Sequence, residues 1–481
     1  MLQDFIIQRI RQELPFAPNE GQAVLLAKLA RFLVAPPKSS LSSSAFPTNP
    51  CFLLRGYAGT GKTSIVAALT RALKGLKRPF CLLAPTGRAA KVLAAYSGFP
   101  AFTIHKRIYR RKQLGSDDYS LAPNFHPGML FIVDEASMLG GDPLLTDLLR
   151  FVFSAQGCSL LLLGDDAQLP PVGQTYSPAL SVSYLQSCGL TVMEHTLTEV
   201  ARQALDSGIL AYATELRERL NSSVDMDSLL AGGSVLRAGS SPADVRSVYD
   251  QDEFLQELER AYREVGLEDV LLITRSNKRT NLYNQGVRNQ ILGFDGAISG
   301  GDRIMVSKNN YFWLEDSFLA NGDMLRIEHL HNQRELYGFQ FVDASLRALD
   351  YDCEIDATLW LDTFFTDTPE DNARLHRELF QRIAEDYPEI RNKRELTRKV
   401  YESPYFNAIQ ARFAYAVTCH KAQGGQWKRV FVDPGALLPS SSGDSPSDGI
   451  SISPTEFTRW LYTAVTRAQE NLFLINFPPR K

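Results

Sequence analysis

At 481 residues the chain is too long for one domain, and with 44% hydrophobic and 22% charged residues it reads as a globular protein of roughly two to four domains. A formal net charge of −3 excludes a global basic signature for nucleic acid and argues against tight duplex binding through phosphates, while a narrow channel lined by local cations stays compatible with it. Cys51, Cys81, Cys158, Cys188, Cys353 and Cys419 never fall at metal-ligand spacing, so they read as thiols of a reducing compartment. No apolar run is long enough to cross a bilayer, and the opening Met1-Leu2-Gln3-Asp4-Phe5-Ile6 has no basic leader, so a cytoplasmic location with no membrane partner is expected.

In chain order, Ile6, Ile7 and Ile10, then Val24, Leu25, Leu29, Phe32 and Leu33 mark apolar faces that predict helices within residues 1–35. Between them stands Gln22, whose amide can pair with the N6/N7 edge of adenine, although a lone Gln before a helix is usually just a solvated N-terminal residue. A Pro- and Ser-rich surface loop is predicted over 35–50.

The apolar run Cys51-Phe52-Leu53-Leu54 then leads into Gly56-Tyr57-Ala58-Gly59-Thr60-Gly61-Lys62-Thr63-Ser64, followed by Ile65, Leu69 and Leu73 at helical spacing. Strand, Gly-rich turn and helix is the setting of a phosphate-binding P-loop, in which glycines let successive N–H groups converge on an anion at a helix N-terminus. Lys62 is expected at the β/γ-phosphates and Thr63 on Mg²⁺. ATP and Mg²⁺ are therefore the expected ligands.

A short strand at Phe80–Ala84 opens into Pro85-Thr86-Gly87-Arg88, where Thr86 reads either as a helix cap or as a donor to a second phosphate. His105-Lys106-Arg107-Ile108-Tyr109-Arg110-Arg111 interleaves cations with aromatics, a strip suited to a nucleic acid strand or to a solvated face, and Gly115–Ser120 reads as the turn of a hairpin. The apolar strand Met129–Val133 ends in Asp134 and Glu135, placing a Mg²⁺ carboxylate and a general base at a sheet's C-terminal edge. Leu160–Leu163 runs into Gly164-Asp165-Asp166-Ala167-Gln168, whose amide suits a γ-phosphate sensor.

After residue 200 the sequence turns connector-like and helical. Val270–Thr274 opens a second α/β unit, and from about 300 to 400 the pattern changes to short strands with tight turns, at 300–306 and 321–327, which predict a small inserted β-barrel. An acidic-basic helical stretch covers 369–400, and the α/β pattern resumes through Val430–Val432 and Leu472–Ile475 around a Ser/Gly/Asp/Pro loop at 438–454.

This ordered set, with the late segments Tyr415-Ala416-Val417-Thr418-Cys419-His420-Lys421-Ala422-Gln423-Gly424 and Leu461-Tyr462-Thr463-Ala464-Val465-Thr466-Arg467-Ala468, resembles the superfamily 1B helicases of the RecD-like and Dda-like kind. The resemblance implies two RecA-like P-loop NTPase domains of α/β class, parallel sheets flanked by helices, with an inserted SH3-like barrel and a pin hairpin. Its expected layout is a first domain over 1–200 with the pin at about 103–126, a connector over 201–265, a second domain over 266–300 and 405–481, and the insert over 301–404.

By the same resemblance, Gln22 reads adenine beside Gly56, Ala58, Gly59, Thr60, Gly61, Ser64 and Gly424. Gln168 senses the γ-phosphate, Arg202 and Arg467 act as arginine fingers, and Gln423 with Gly424 couples nucleotide to DNA. Thr86, His105, Thr418 and His420 contact single-stranded DNA, with Tyr119 as a wedge in the pin. Ala422 stands where many relatives carry Ser, and Gly425-Gln426-Trp427 where an acidic residue is common, departures that tune DNA contact.

The implied activity is an ATP-dependent DNA helicase or translocase, moving 5′ to 3′ as a monomer on single-stranded DNA and duplex junctions in replication, recombination or repair. An RNA helicase and an ATP-gated single-strand clamp without turnover are the rivals. Intact Lys62, Glu135 and Arg467 argue against the clamp.

Overall fold

The structure is a computed structural model that describes residues 1–34, 49–111, 119–200, 207–220, 244–314, 318–351, 353–366, 368–435 and 453–477. Helices α1 (Leu2–Glu13) and α2 (Glu20–Val34) precede strand β1 (Asn49–Gly56). The next elements are α3 (Lys62–Gly75), β2 (Phe80–Ala84), α4 (Gly87–Ser97), β3 (Ala101–Thr103) and α5 (Ile104–Ile108). A separate antiparallel hairpin, β4 (Tyr109–Arg111) and β5 (Tyr119–Leu121), is followed by β6 (Leu130–Val133), α6 (Thr146–Phe153), β7 (Ser159–Gly164), α7 (Val182–Ser187) and β8 (Leu190–Leu197).

Apart from the hairpin, these strands form a six-stranded sheet in the order β3-β2-β6-β7-β1-β8. Every pairing in it is parallel. The period-2 alternation of each strand divides the core between the two faces. Phe52 and Leu54 of β1 pack with α1, α2 and α3, whereas Cys51 and Leu53 pack with α5, α6 and α7. Leu160 to Leu163 supply both faces and are all buried, each contributing about 1.5–3 kcal/mol of apolar burial. Parallel strands covered on both sides read as unbroken apolar runs for this reason.

The second sheet has the order β16-β10-β17-β18-β9, formed by β9 (Val245–Val248), β10 (Val270–Thr274), β16 (Ala416–Thr418), β17 (Trp427–Asp433) and β18 (Ala468–Ile475). It too is parallel throughout. Helix Gln251–Val265 covers one face, while α8 (Gly208–Leu220) and helix Pro454–Val465 cover the other. Part of the stretch read as connector therefore belongs to the second unit: β9 is its edge strand and pairs with β18. Four residues with a weak alternation, Val245-Arg246-Ser247-Val248, gave little sign of this.

Between β10 and β16 lies a five-stranded sheet in the order β14-β13-β12-β11-β15, with antiparallel pairing. Its strands are β11 (Arg303–Val306), β12 (Met324–Leu336), β13 (Phe339–Ala348), β14 (Glu354–Trp360) and β15 (Ala411–Phe413). The bridge Leu359–Ile409, with Trp360 N donating to Ile409 O at 3.0 Å and Ile409 N to Thr358 O at 2.8 Å, joins the two edges and closes the sheet. The insert thus runs on to Phe413, past the expected boundary at 404. Helices Pro369–Ala384 and Lys393–Tyr401 pack a small core of Leu379, Ile383 and Val400 on Phe339, Phe341 and Trp360 of the barrel. No helix among the described residues is long and apolar enough to cross a membrane.

Candidate active site between two parallel sheets

The P-loop joins the end of β1 to α3 by a tight turn. Gly61 caps α3 in the left-handed region at φ 84°, and a Cβ there would lie 2.8 Å from Gln22 Nε2. Only glycine fits such a position without strain. The Thr60 hydroxyl donates to Tyr57 O at 2.8 Å, and Lys62 Nζ donates to the carbonyls of Gly56 and Tyr57, the latter at 2.9 Å. Ala58, Gly59, Gly61, Lys62, Thr63 and Ser64 all line a cavity of about 590 Å³.

The apolar strand β6 delivers Asp134 and Glu135 to the same cavity. Asp134 Oδ1 accepts the Glu135 N–H at 2.9 Å, and Glu135 itself sits in the left-handed region at φ 52°. A non-glycine residue held there costs about 1–3 kcal/mol, a strain typical of positions that aim a functional group. Burial, reinforced by the neighbouring Glu135 charge, pushes the Asp134 carboxyl up to about 6, and Lys62 and Arg467 oppose the shift. A divalent cation would remove that penalty, since its charge favours the carboxylate. With one hydroxyl (Thr63) and one carboxylate (Asp134) lining the same cavity beside the P-loop, the residues present fit Mg²⁺, which takes few protein ligands and completes its shell with substrate oxygens and water. Gln168, at the turn after β7, also lines the cavity, and its Oε1 is buried without a protein partner.

From the second sheet comes Arg467, at the end of helix Pro454–Val465. It is 3% exposed and aimed by three bonds: Nε to Thr463 O at 3.1 Å, Nη1 to Gly425 O at 3.1 Å and Nη2 to Thr466 Oγ1 at 3.2 Å. Its Nη1 stands 3.7 Å from Glu135 Oε1. Gly424, at φ 74°, lines the cavity as well, and a Cβ there would meet Ala89 Cβ at 2.8 Å. Gln423 Nε2 donates across the domain boundary to Leu169 O at 2.8 Å.

Other expected residues are placed differently. Gln22 is 2% exposed and does not line the cavity: its Nε2 donates to Thr60 O at 3.0 Å, and its Oε1 accepts Asn19 N at 3.1 Å. Both ends of the amide that was expected to read adenine are engaged by backbone, and Phe16 is the residue of this region that faces the cavity. Gly56 and Thr60 likewise support the loop from behind rather than lining it. Arg202 and the tip of the hairpin, 112–118, lie outside the described residues.

Thr86, His105 and Thr418 sit at the C-terminal ends of β2, β3 and β16, with His420 two residues further on. Thr86 Oγ1 caps α4 by accepting Ala89 N at 3.2 Å, and His105 is half-buried, with its pKa lowered by that burial. The barrel reaches these elements: Phe318 packs its ring 6.3 Å from that of His105, and Asn321 Oδ1 accepts Lys421 Nζ. Arg88 of α4 pairs with the buried Asp350 at 3.3 Å and lies over the Trp427 ring.

Sequence reasoning assigned no role to Tyr462 or Asp165. Tyr462 OH donates to Asp165 Oδ2 at 2.6 Å and accepts Ala58 N at 2.9 Å. A buried tyrosine in an apolar helix carries no sequence signal that separates it from core packing.

The AAA domain family matches residues 45–237. The ATP-dependent RecD2 DNA helicase of Deinococcus radiodurans is 37% identical over 161 residues, 34% of this chain, and the chain spans only 21% of that relative's length. Uncharacterized protein R530 of Acanthamoeba polyphaga mimivirus is 21% identical over 496 aligned residues, covering 88% of this chain and 95% of that protein. The Pif1 helicase from Bacteroides, solved with ADP-AlF3 and ssDNA, is 16% identical over 90% of each chain, with a TM-score of 0.44. The P-loop domain is thus similar to an AAA domain over 45–237 and, over 161 residues, to the ATP-dependent RecD2 DNA helicase, and a second parallel sheet brings Arg467 to the same cavity.

Proposed function

We propose that the chain is an ATP-dependent DNA helicase or translocase that couples ATP hydrolysis to movement along single-stranded DNA, 5′ to 3′, and separates duplex DNA. The observation that carries this reading is the composite cavity: Lys62, Thr63, Asp134, Glu135 and Gln168 come from one parallel sheet and Arg467 from another.

In this reading the P-loop N–H groups and the N-terminus of α3 hold the ATP phosphates, and Lys62 balances their charge. Thr63 and Asp134 would hold a Mg²⁺ ion, which when bound would supply Lewis-acid charge. Glu135 takes the proton of the attacking water, Gln168 senses the γ-phosphate, and Arg467 meets the charge developing on the transferred group. Arg202 is assigned as the second finger by family likeness. Because Arg467 belongs to the second domain, turnover requires the two sheets to be docked, and release of products allows them to part. Thr86, His105, Thr418 and His420 would hold the strand along the C-terminal sheet edges, the β4–β5 hairpin would act as the pin, and the closed insert would be the SH3-like domain. The chain would act as a monomer, with protein partners drawn from replication or repair.

The test is strand separation with ATP and Mg²⁺ on duplexes carrying either a 5′ or a 3′ tail, with Lys62→Ala alongside. Unwinding from the 5′ tail only, abolished by Lys62→Ala, is the expected result. Unwinding only from the 3′ tail overturns the polarity, and ATP hydrolysis stimulated by RNA but not DNA overturns the substrate.

A further inference from the structure

We infer that Tyr462 is a positioning residue through which the second domain sets the conformation of the P-loop and of the Gln168 turn. The inference rests on the ATPase reading of the same cavity.

Tyr462 lies on helix Pro454–Val465, five positions before Arg467, and is 1% exposed. Its hydroxyl leaves its own domain entirely. It donates to Asp165 Oδ2 at 2.6 Å and accepts the N–H of Ala58 at 2.9 Å, so one phenol oxygen ties two segments of the first domain together. Ala58 is in the P-loop, where backbone N–H direction decides which groups face a phosphate. Asp165 Oδ1 accepts Ala167 N at 3.0 Å, which shapes the turn that carries Gln168 into the cavity.

Two neighbouring contacts reinforce the geometry. Thr463 Oγ1 accepts Leu169 N at 2.8 Å, and Arg459 Nη1 donates to Asp166 O at 3.0 Å. One helix therefore presents Arg467 to the cavity while three of its other side chains hold the loops of the opposite wall. Parting of the domains necessarily breaks the Tyr462 bonds, leaving Asp165 without its charge-assisted donor and Ala58 N–H free to reorient. The same movement that withdraws Arg467 thus releases the P-loop and the sensor turn.

The side chain also has no other evident task that needs its oxygen. Phenylalanine would fill the same volume in the core between helix Pro454–Val465 and α8, so packing alone would tolerate the loss of the hydroxyl. Removing it while keeping the ring isolates the proposed role from the fold.

The experiment uses the full chain with Tyr462→Phe, reading steady-state ATPase with and without oligo(dT), affinity for Mg²⁺ with a non-hydrolysable ATP analogue, and Tm. Tyr462→Phe is expected to lower kcat about tenfold while analogue affinity changes less than threefold and Tm stays within a few degrees. A kcat within twofold of the parent overturns the proposal, as does a parallel loss of kcat, affinity and Tm, which would mark Tyr462 as a fold support. Should Tyr462→Phe fail to fold, Asp165→Ala, which deletes the acceptor, carries the same readouts: a kcat loss with retained affinity supports the role, and unchanged kcat overturns it. In a double-mutant cycle the two substitutions should be strongly non-additive, because they remove one shared bond. Absence of ATPase in the parent chain would instead sink the ATPase reading itself, which keeps the two failures distinct.

Discussion

Arg467 and Glu135 face each other at 3.7 Å across the boundary between two parallel sheets, a guanidinium from one domain beside a carboxylate from the other. At that distance the pair is held by charge rather than by a direct hydrogen bond, and Arg467 is aimed instead by Thr463, Gly425 and Thr466. The guanidinium is thus pre-oriented by its own domain, independently of Glu135.

Replacing either member should therefore separate binding from chemistry. Glu135→Gln is expected to lower kcat by about 10²–10⁴-fold, the range for loss of a general base. Arg467→Lys should lower it by about 10³-fold, since an ammonium cannot reproduce the planar fork. Affinity for an ATP analogue, measured by fluorescence titration, should change far less in both. Comparable losses in affinity would mean that these groups act on the ground state only.

Gln22 makes a different prediction from that of a base-reading glutamine. Its amide bonds to Thr60 O and Asn19 N brace the P-loop from behind. Gln22→Ala should then depress kcat/KM for ATP and for GTP by similar factors. A loss confined to ATP would show that the amide leaves the loop to read adenine.

Gly424→Ala tests the contact between the late motif and α4. The left-handed φ of 74° costs an alanine roughly 1–2 kcal/mol, and its Cβ would crowd Ala89 Cβ at 2.8 Å. DNA-stimulated ATPase should fall together with a lowered Tm, whereas wild-type values for both would show that the domain boundary absorbs a methyl group.

The insert carries a pH signature. His376 packs 4.4 Å from the Phe406 ring and 3.3 Å from Lys308 Nζ, and burial, with the Lys308 charge, pushes its pKa down to about 4. A folded pKa below the unfolded value of about 6.5 means that the unfolded chain binds the extra proton first, so stability is lost as pH falls from about 6.5 toward 4. His376→Phe should flatten the difference in Tm between pH 7 and pH 5 relative to the parent. An identical pH dependence in both proteins would rule out this residue as a source.

The chain's local chemistry was legible wherever a phosphate or a strand end imposes it on contiguous residues. The run from Gly56 to Thr63 announces its loop because glycine and lysine must stand at set spacings to wrap an anion, and Leu130–Val133 announces a doubly covered strand because every side chain is buried. The late motif pointed to Arg467 through family resemblance, since a single arginine has no pattern of its own.

Long-range pairing decided the rest. Val245–Val248 became an edge strand because β18 offers it a parallel partner, and the insert closed because Ile409 meets Leu359 fifty residues away along the chain. Gln22 turned inward because the Thr60 carbonyl needs a donor, a demand invisible until the P-loop is folded over α2. Tyr462 found Ala58 and Asp165 only when the two domains met. Sequence by itself determined the kind of chemistry, because phosphate geometry is satisfied by a few neighbouring residues; tertiary structure decided which distant groups aim and connect that chemistry, because buried polar atoms take their partners from wherever packing brings them.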